Sequence, residues 1–395
     1  MKPSHLLHNT YCRLVHANKH TAVPVLSHPF TMFSNNRKRN TSSGKQDVPM
    51  IRNRNAYYVM PAEEEPHEGT WLQWPHNQGW DLKHVERYEP SWIAMAQALH
   101  KGEIVHIIVE NDEEHARVRD LLEHQHHLEI TQLDFHVFST DDVWVRDNGP
   151  IFVFADNSNN NKHSKEQLSI ANFLFNGWGG KADDYYDNYI PIKIGHALSL
   201  PVVDIPMVHE GGSVEVDGRG TMMAKRSSIL NVNRNPGWTQ SDAETYFTQY
   251  LGVRNFIWLN GEKGGDITDD HIDGTARFAN GDTIVTMYKE DFLNKKEYTI
   301  LQNAQDVDGK AYKIVHLPCT KHKVKTAKDY GIYINFYVGN KVVLVPSFGD
   351  PNDKVAAEKL QRLYPTREVV SIPFGEVYCD GGLIHCVTQQ QPKIR

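Results

Sequence analysis

Hydrophobic and polar positions follow two alternating rhythms from Met60 onward, short apolar runs of strand length and longer stretches with apolar residues every third or fourth position. "GEIVHIIV" predicts a strand, "NDEEHARVRDLLEHQ" a helix opened by Asn111 or Asp112, and "LDFHVF" a further strand. In "SDAETYFTQYLG" a capping box from Ser241 to Glu244 starts a helix that Gly252 stops. "SVEVDGRGTMMAK" predicts a hairpin turned at Asp217-Gly218, and "KVVLVPSF" a strand leading into the helix "DPNDKVAAEKLQRLYP". The polar run at 156 to 166 separates the strands "IFVFA" and "LSIANFLF" and predicts a long exposed hairpin loop. Strands alternating with helices in this way predict an α/β fold.

Two short echoes suggest repetition. Thr140-Asp141-Asp142 ahead of Asp147 matches Thr268-Asp269-Asp270 ahead of Asp273, and Glu210-Gly211-Gly212 matches Asp380-Gly381-Gly382. Together they point to a strand-and-helix unit repeated around a centre, with special residues at strand ends facing inward. Residues 1 to 55 are polar and lack sustained apolar periodicity, which predicts a disordered extension or an organelle-targeting segment ahead of one domain over 56–395. The cytoplasm is the expected location, with organelle import by that segment as the alternative.

Composition changes the picture in three places. A content of 39% hydrophobic and 10% aromatic residues supplies a sizeable core, and no apolar run reaches the roughly 18 residues that a bilayer span requires. Cys12, Cys319, Cys379 and Cys386 are spaced as neither a dense disulfide framework nor a zinc knuckle, which favours a reducing compartment. Residues 1 to 46 hold seven of the 42 basic side chains and no acidic one, leaving 35 basic against 49 acidic over the remainder. A body near −14 does not suit nucleic acid, and it suits a cationic substrate as well as a merely solvated acidic surface.

Unusual polar residues concentrate in "TDDVWVRDNGP", "HEGGSVEVDG", "DITDDHIDGTARF" and "GGLIHCVTQQQP". Each has a plain reading: Asp-Gly and Asn-Gly are ordinary turn chemistry, and a lone cysteine among aliphatic neighbours is often a core thiol. A calcium site from Asp266, Asp269, Asp270 and Asp273 is another reading, although the EF-hand spacing is absent. If "LIHCVTQ" is extended, His385 and Cys386 point to opposite faces, so the base for a nucleophilic Cys386 comes from elsewhere. His271 and Asp273, two apart, can face one space, which makes His271 the acid/base candidate. Carboxylates beside a thiol disfavour an oxyanion-forming protease. They favour attack on a guanidinium, which Asp147 and Asp273 can hold by paired hydrogen bonds.

Over about Met60 to Pro392 the chain resembles the agmatine deiminase family, related to the bacterial-type peptidylarginine deiminases of the guanidine-modifying superfamily. The motifs that carry the resemblance are "MPAEEEPHEGTWLQWP", "VWVRDNGPIFVF", "FNGWGG", "EGGSVEVDGRGT", "LNVNRNP", "DDHIDGTARF", "NFYVGNKVVLVPSFGDPNDK" and "GGLIHCVTQQQP". The resemblance implies a pentein fold, a five-bladed α/β propeller with the site at its central mouth and no metal or organic cofactor. It implies that Cys386 is the nucleophile forming an amidino-thioether. His271 is then the acid and base, Asp147 and Asp273 the guanidinium clamps, and Glu210 the carboxylate assisting substrate and histidine. The implied reaction converts agmatine to N-carbamoylputrescine and ammonia in polyamine and putrescine biosynthesis. Oligomers, often dimers, are implied as well, with no nucleic-acid or membrane partner expected.

One departure bears on the substrate tail: this chain reads Asp380-Gly381-Gly382-Leu383-Ile384-His385-Cys386 where the family commonly reads Gly-Gly-Gly-Asn-Ile-His-Cys. Trp71, Trp74, Trp144 and Trp178 lie in the family motifs and are candidates for an aromatic funnel around an aliphatic amine, or for buried structural positions. The competing functions are deimination of peptidyl-arginine or another arginine derivative, amidino transfer to an amine, and non-catalytic polyamine or metal binding.

Overall fold

A computed structural model of the chain describes residues 57–76, 82–156, 167–292 and 294–394. The expected N-terminal extension and almost all of the 156–166 loop lie outside the described residues.

One pattern recurs five times: a strand, an antiparallel neighbour, a helix, and a third strand parallel to the second. Its first occurrence is Ile151–Asp156, Gln167–Leu174, helix Ile190–Leu198 and Val202–Val208. Val214–Val216, Thr221–Lys225, helix Gln240–Leu251 and Asn255–Leu259 repeat it. The third consists of Ala276–Ala279, Thr283–Met287, helix Lys295–Gln302 and Lys313–Leu317. The fourth consists of Tyr337–Val338, Val342–Ser347, helix Pro351–Leu363 and Glu368–Pro373. The fifth is split: Gln389–Pro392 pairs with His67–Gln73, followed by helix Leu82–Leu99 and Ile104–Val109, with Leu133–Val137 added at the edge. Two distant stretches of chain thus share one sheet. A separate two-stranded ribbon, Cys319–Lys323 with Tyr330–Ile332, lies between the third and fourth occurrences.

Burial explains why the middle strands read as continuous apolar runs. Thr221–Lys225 and Thr283–Met287 are buried along their whole length, because both faces are covered. The helices that cover them are amphipathic: Ala356 and Leu360 of Pro351–Leu363 pack into a core with Val343, Val345 and Phe336. Among the described residues no helix is long and apolar enough to cross a membrane.

Two local expectations change. The helix expected from Ser241 starts at Gln240, capped by Thr239, whose side chain accepts from the Asp242 backbone while Asp242 accepts from that of Thr239. Gly252 ends it in the left-handed conformation, as expected. The segment around Cys386 is not extended: His385–Val387 is a tight 3-10 turn, and the strand begins only at Gln389.

Candidate active site

Short turns precede the first strand of each repeated pattern, and each carries a polar group to one place. Asp147 lies in the turn Val145–Asn148, Glu210 just before Gly211–Ser213, His271 just before the turn Ile272–Gly274 and Asp273 within it. Asn335 precedes Tyr337–Val338, and Cys386 lies in His385–Val387.

Their convergence is closest at Gly212. A side-chain methyl there would sit 2.7 Å from His271 Nδ1, 2.8 Å from Asp147 Oδ1 and 3.1 Å from Asp273 Oδ2, so only glycine fits. Its backbone N–H donates to Asp147 Oδ1 at 3.0 Å. The second Asp147 oxygen accepts from Trp178 Nε1 at 2.9 Å. Trp178 reaches it from a loop in which Gly177, Trp178, Gly179 and Gly180 all have positive φ, a conformation strained for the tryptophan alone. That is the physical use of the glycines in "FNGWGG".

His271 is buried, and burial alone disfavours its charge, yet Asp147, Glu210 and Asp273 outweigh burial and raise its pKa to about 9. Nε2 lies 3.0 Å from Glu210 Oε2 and Nδ1 lies 3.6 Å from Asp147 Oδ1. At neutral pH the ring is an imidazolium. Glu210 is held from behind by Arg234, whose Nε donates to it at 2.7 Å.

Burial, then Asp273 and Asp147, push the Cys386 thiol well above the ordinary range. Its sulfur lies 3.5 Å from Asn335 Oδ1 and 3.9 Å from Asp273 Oδ2. Without a cation between those carboxylates the thiol stays protonated.

His385 serves Asp273 rather than the thiol: Nδ1 lies 2.7 Å from Asp273 Oδ2 and Nε2 lies 2.8 Å from Glu63 Oε2. Glu63 in turn meets Arg277 at 2.8 Å and Arg146 at 3.3 Å, and Arg277 also pairs with Glu215. A largely buried chain of hydrogen bonds and ion pairs therefore runs from Asp273, beside the nucleophile, through His385 and Glu63 to Arg277 and Glu215. Burial opposes ionisation of Asp273, but His385, His271 and Arg277 overcome it and keep the carboxylate ionised.

Cys386, His271, Asp273 and Asn335 line a cavity of about 390 Å³. Glu262, Asp266, Asp270, Asp291 and Glu297 also line it, against one lysine, Lys225, which is bonded to Asp270 and Thr275. Asp147 and Glu210 are not on its wall and stand behind His271. Aromatic surface comes from Phe292, Tyr330 and Tyr378.

The four tryptophans do not form the expected funnel. Trp71 and Trp74 are wholly buried in the core, and Trp74 Nε1 donates to Glu89. Trp144 and Trp178 are also buried, and none of the four lines the cavity. Gly382 explains Trp144: a methyl at that glycine would lie 2.1 Å from Trp144 Cζ3, so the indole is the floor on which the cysteine loop rests. The calcium arrangement does not form either, since Asp269 bonds Arg234 and Lys181, Asp270 bonds Lys225, and Asp273 bonds His385. Cys319 and Cys379 are both shifted upward by burial first, Cys379 to about 12, and neither lines the cavity.

Sequence reasoning missed Asn335, Glu63, His385 and Arg277. Asn335 carried a weak signal, a polar residue inside the apolar run "IYINFYVG". Glu63 sits in "MPAEEEPHEGTWLQWP" and Arg277 in "DDHIDGTARF", but nothing local says that those charges turn inward.

Comparison with known proteins agrees with this geometry. The sequence pattern of the Porphyromonas-type peptidyl-arginine deiminase family matches residues 59–392. An agmatine deiminase of Medicago truncatula is 31% identical over 371 residues, covering 85% of this chain and 97% of the relative. The structure of the Enterococcus faecalis agmatine deiminase superposes with a TM-score of 0.73 at 27% identity, covering 86% of this chain and 96% of that one. A substrate-bound cysteine-to-serine variant of the C. jejuni agmatine deiminase has the same fold, with a TM-score of 0.74 at 23% identity over 87% of this chain and 98% of that one. With sequence pattern, identity and fold in agreement over most of its length, this chain belongs to the Porphyromonas-type peptidyl-arginine deiminase family, with agmatine deiminases among its homologues.

Proposed function

We propose that the chain hydrolyses agmatine to N-carbamoylputrescine and ammonia through a covalent cysteine intermediate. The observation that carries this reading is a thiol and an imidazolium on the wall of a cavity whose carboxylates outnumber its single, already paired lysine. A dication gains from every acidic group there, whereas a free α-carboxylate meets repulsion. The names of the matched relatives support the same substrate.

In the first step, a guanidinium docked in the cavity against Asp273, with the Asp147 carboxylate adding its charge from behind His271, offsets the charge that keeps Cys386 protonated, and the thiol loses its proton to solvent. The thiolate attacks the guanidinium carbon. His271 passes its proton to the departing nitrogen, and ammonia leaves behind an amidino-thioether. His271, now neutral and oriented by Glu210, accepts a proton from water as that water attacks the same carbon. The carbon–sulfur bond breaks as the new hydroxyl gives up its proton, the departing sulfur takes that proton up to return to the thiol, and the neutral ureido product leaves.

The five repeated units are read as blades of a propeller whose inner turns meet at this site. Residues 56–395 form the catalytic domain, preceded by an extension or import segment, and the enzyme works in the cytoplasm as an oligomer on a small cationic substrate.

A colorimetric assay for ureido product across agmatine, arginine, methylated arginines and peptidyl-arginine tests the reading. Agmatine is expected to be turned over far faster than the others, and preference for peptidyl-arginine overturns it. Ammonia release without an added amine separates hydrolysis from amidino transfer. A non-reactive amidine is expected to lower the Cys386 pKa, read as the ultraviolet thiolate signal that Cys386→Ala lacks. An unchanged titration removes the substrate-assisted step.

A further inference from the structure

Outside the catalytic cavity, the sheet that joins the two distant stretches of chain carries a second cluster of ligating groups. His106 of Ile104–Val109 lies directly opposite Asp134 of Leu133–Val137, and His136 stands two residues along on the same face. His106 Nδ1 and His136 Nε2 approach the same oxygen, Asp134 Oδ2, at 2.9 and 3.0 Å. One ligand atom from each residue lies within 4.8 Å of the others. A tetrahedral zinc with bonds of about 2.0–2.1 Å spaces its ligand atoms about 3.3 Å apart, so each imidazole contact to Asp134 needs to open by only a few tenths of an ångström. None of them lines the catalytic cavity.

We propose that His106, Asp134 and His136 form a binding site for a divalent transition cation, represented by zinc, with water completing the coordination.

Three features support a built site over a chance ion pair. The two imidazoles are the only ion-pair partners of Asp134 among the described residues, so no lysine or arginine competes for it. Trp71 stacks on His106 at 4.2 Å and packs at a tilt of 36° against His136 at 4.7 Å, which restrains both rings before any ion arrives. Asp134 keeps 48% of its side chain exposed while His106 is buried, which leaves an entry path and an open coordination position toward solvent. Two imidazoles and one carboxylate suit zinc, copper or nickel better than calcium or magnesium.

Full-length protein stripped with a chelator and titrated with zinc chloride by calorimetry is expected to take up one equivalent at this site. His136→Ala and Asp134→Asn, both at the open side of the cluster, should each weaken that event at least tenfold, with circular dichroism confirming the fold. Cys386→Ser should leave it intact. Copper(II), a contact quencher of indole, should lower tryptophan emission in the parent and not in His136→Ala. Absence of the event, an affinity in His136→Ala and Asp134→Asn equal to the parent's, or its loss in Cys386→Ser overturns the site, the last by assigning the ion to the catalytic cavity. Turnover of agmatine is read separately, so failure of either idea leaves the other standing.

Discussion

Cys386→Ala is expected to reduce ureido formation by roughly a million-fold, the scale seen when a covalent nucleophile is removed, while the folded state survives. The thiol's side-chain hydrogen-bonding neighbours among the described residues are Asn335 and Asp273, and its loss leaves no buried charge without its partner. Acid-quenched parent enzyme should show an adduct on Cys386 by intact mass, and the variant should show none. Retained turnover in the alanine form ends the covalent mechanism, because no other described cysteine lines the cavity.

The second large effect concerns stability. Arg277→Met is expected to destabilise the protein by about 3–5 kcal/mol, the usual consequence of leaving buried carboxylates without their cation. Arg277 is almost fully buried, pairs with Glu63 and Glu215, bonds the Phe336 carbonyl, and stacks its guanidinium 4.9 Å from the Phe336 ring centre. The urea midpoint measures the loss, and a shift below about 1 kcal/mol refutes the role given to the network. As a control, Lys313→Ala removes an ion pair to Asp282 from a lysine side chain that is 73% exposed, and should be nearly silent. Because Glu63 also holds His385, and His385 holds Asp273, the methionine form should lose activity even where it remains folded.

Most of the architecture is legible in the sequence because hydrophobic period encodes it. The runs "KVVLVPSF" and "GTMMAK" are buried on both faces and read directly as strands. Helix starts are less secure where two capping frames overlap: Thr239 with Asp242 and Ser241 with Glu244 compete in one segment, and the earlier frame wins. The catalytic turns were harder. Strand alternation put His271 and Asp273 on one face and His385 opposite Cys386, but both segments are 3-10 turns, in which that alternation does not apply. Cys386, His271 and Asp273 nevertheless reach one cavity, because each turn opens a strand of a repeated unit. Glu63 and Arg277 stayed invisible because their partners lie far along the chain, and local pattern carries no information about which charge meets which. The tryptophans show the opposite error: large aromatic residues in motifs invite a ligand role, and packing used them instead.

The strand that follows the nucleophile is seated against Trp71, whose indole donates to Gln391 across a separation of 320 residues. Catalytic competence is therefore a property of closure. A fragment lacking the 67–73 strand would still encode every reacting group and yet have nothing to seat the cysteine loop against, so loosening that one seam should silence the enzyme before the remaining sheets come apart.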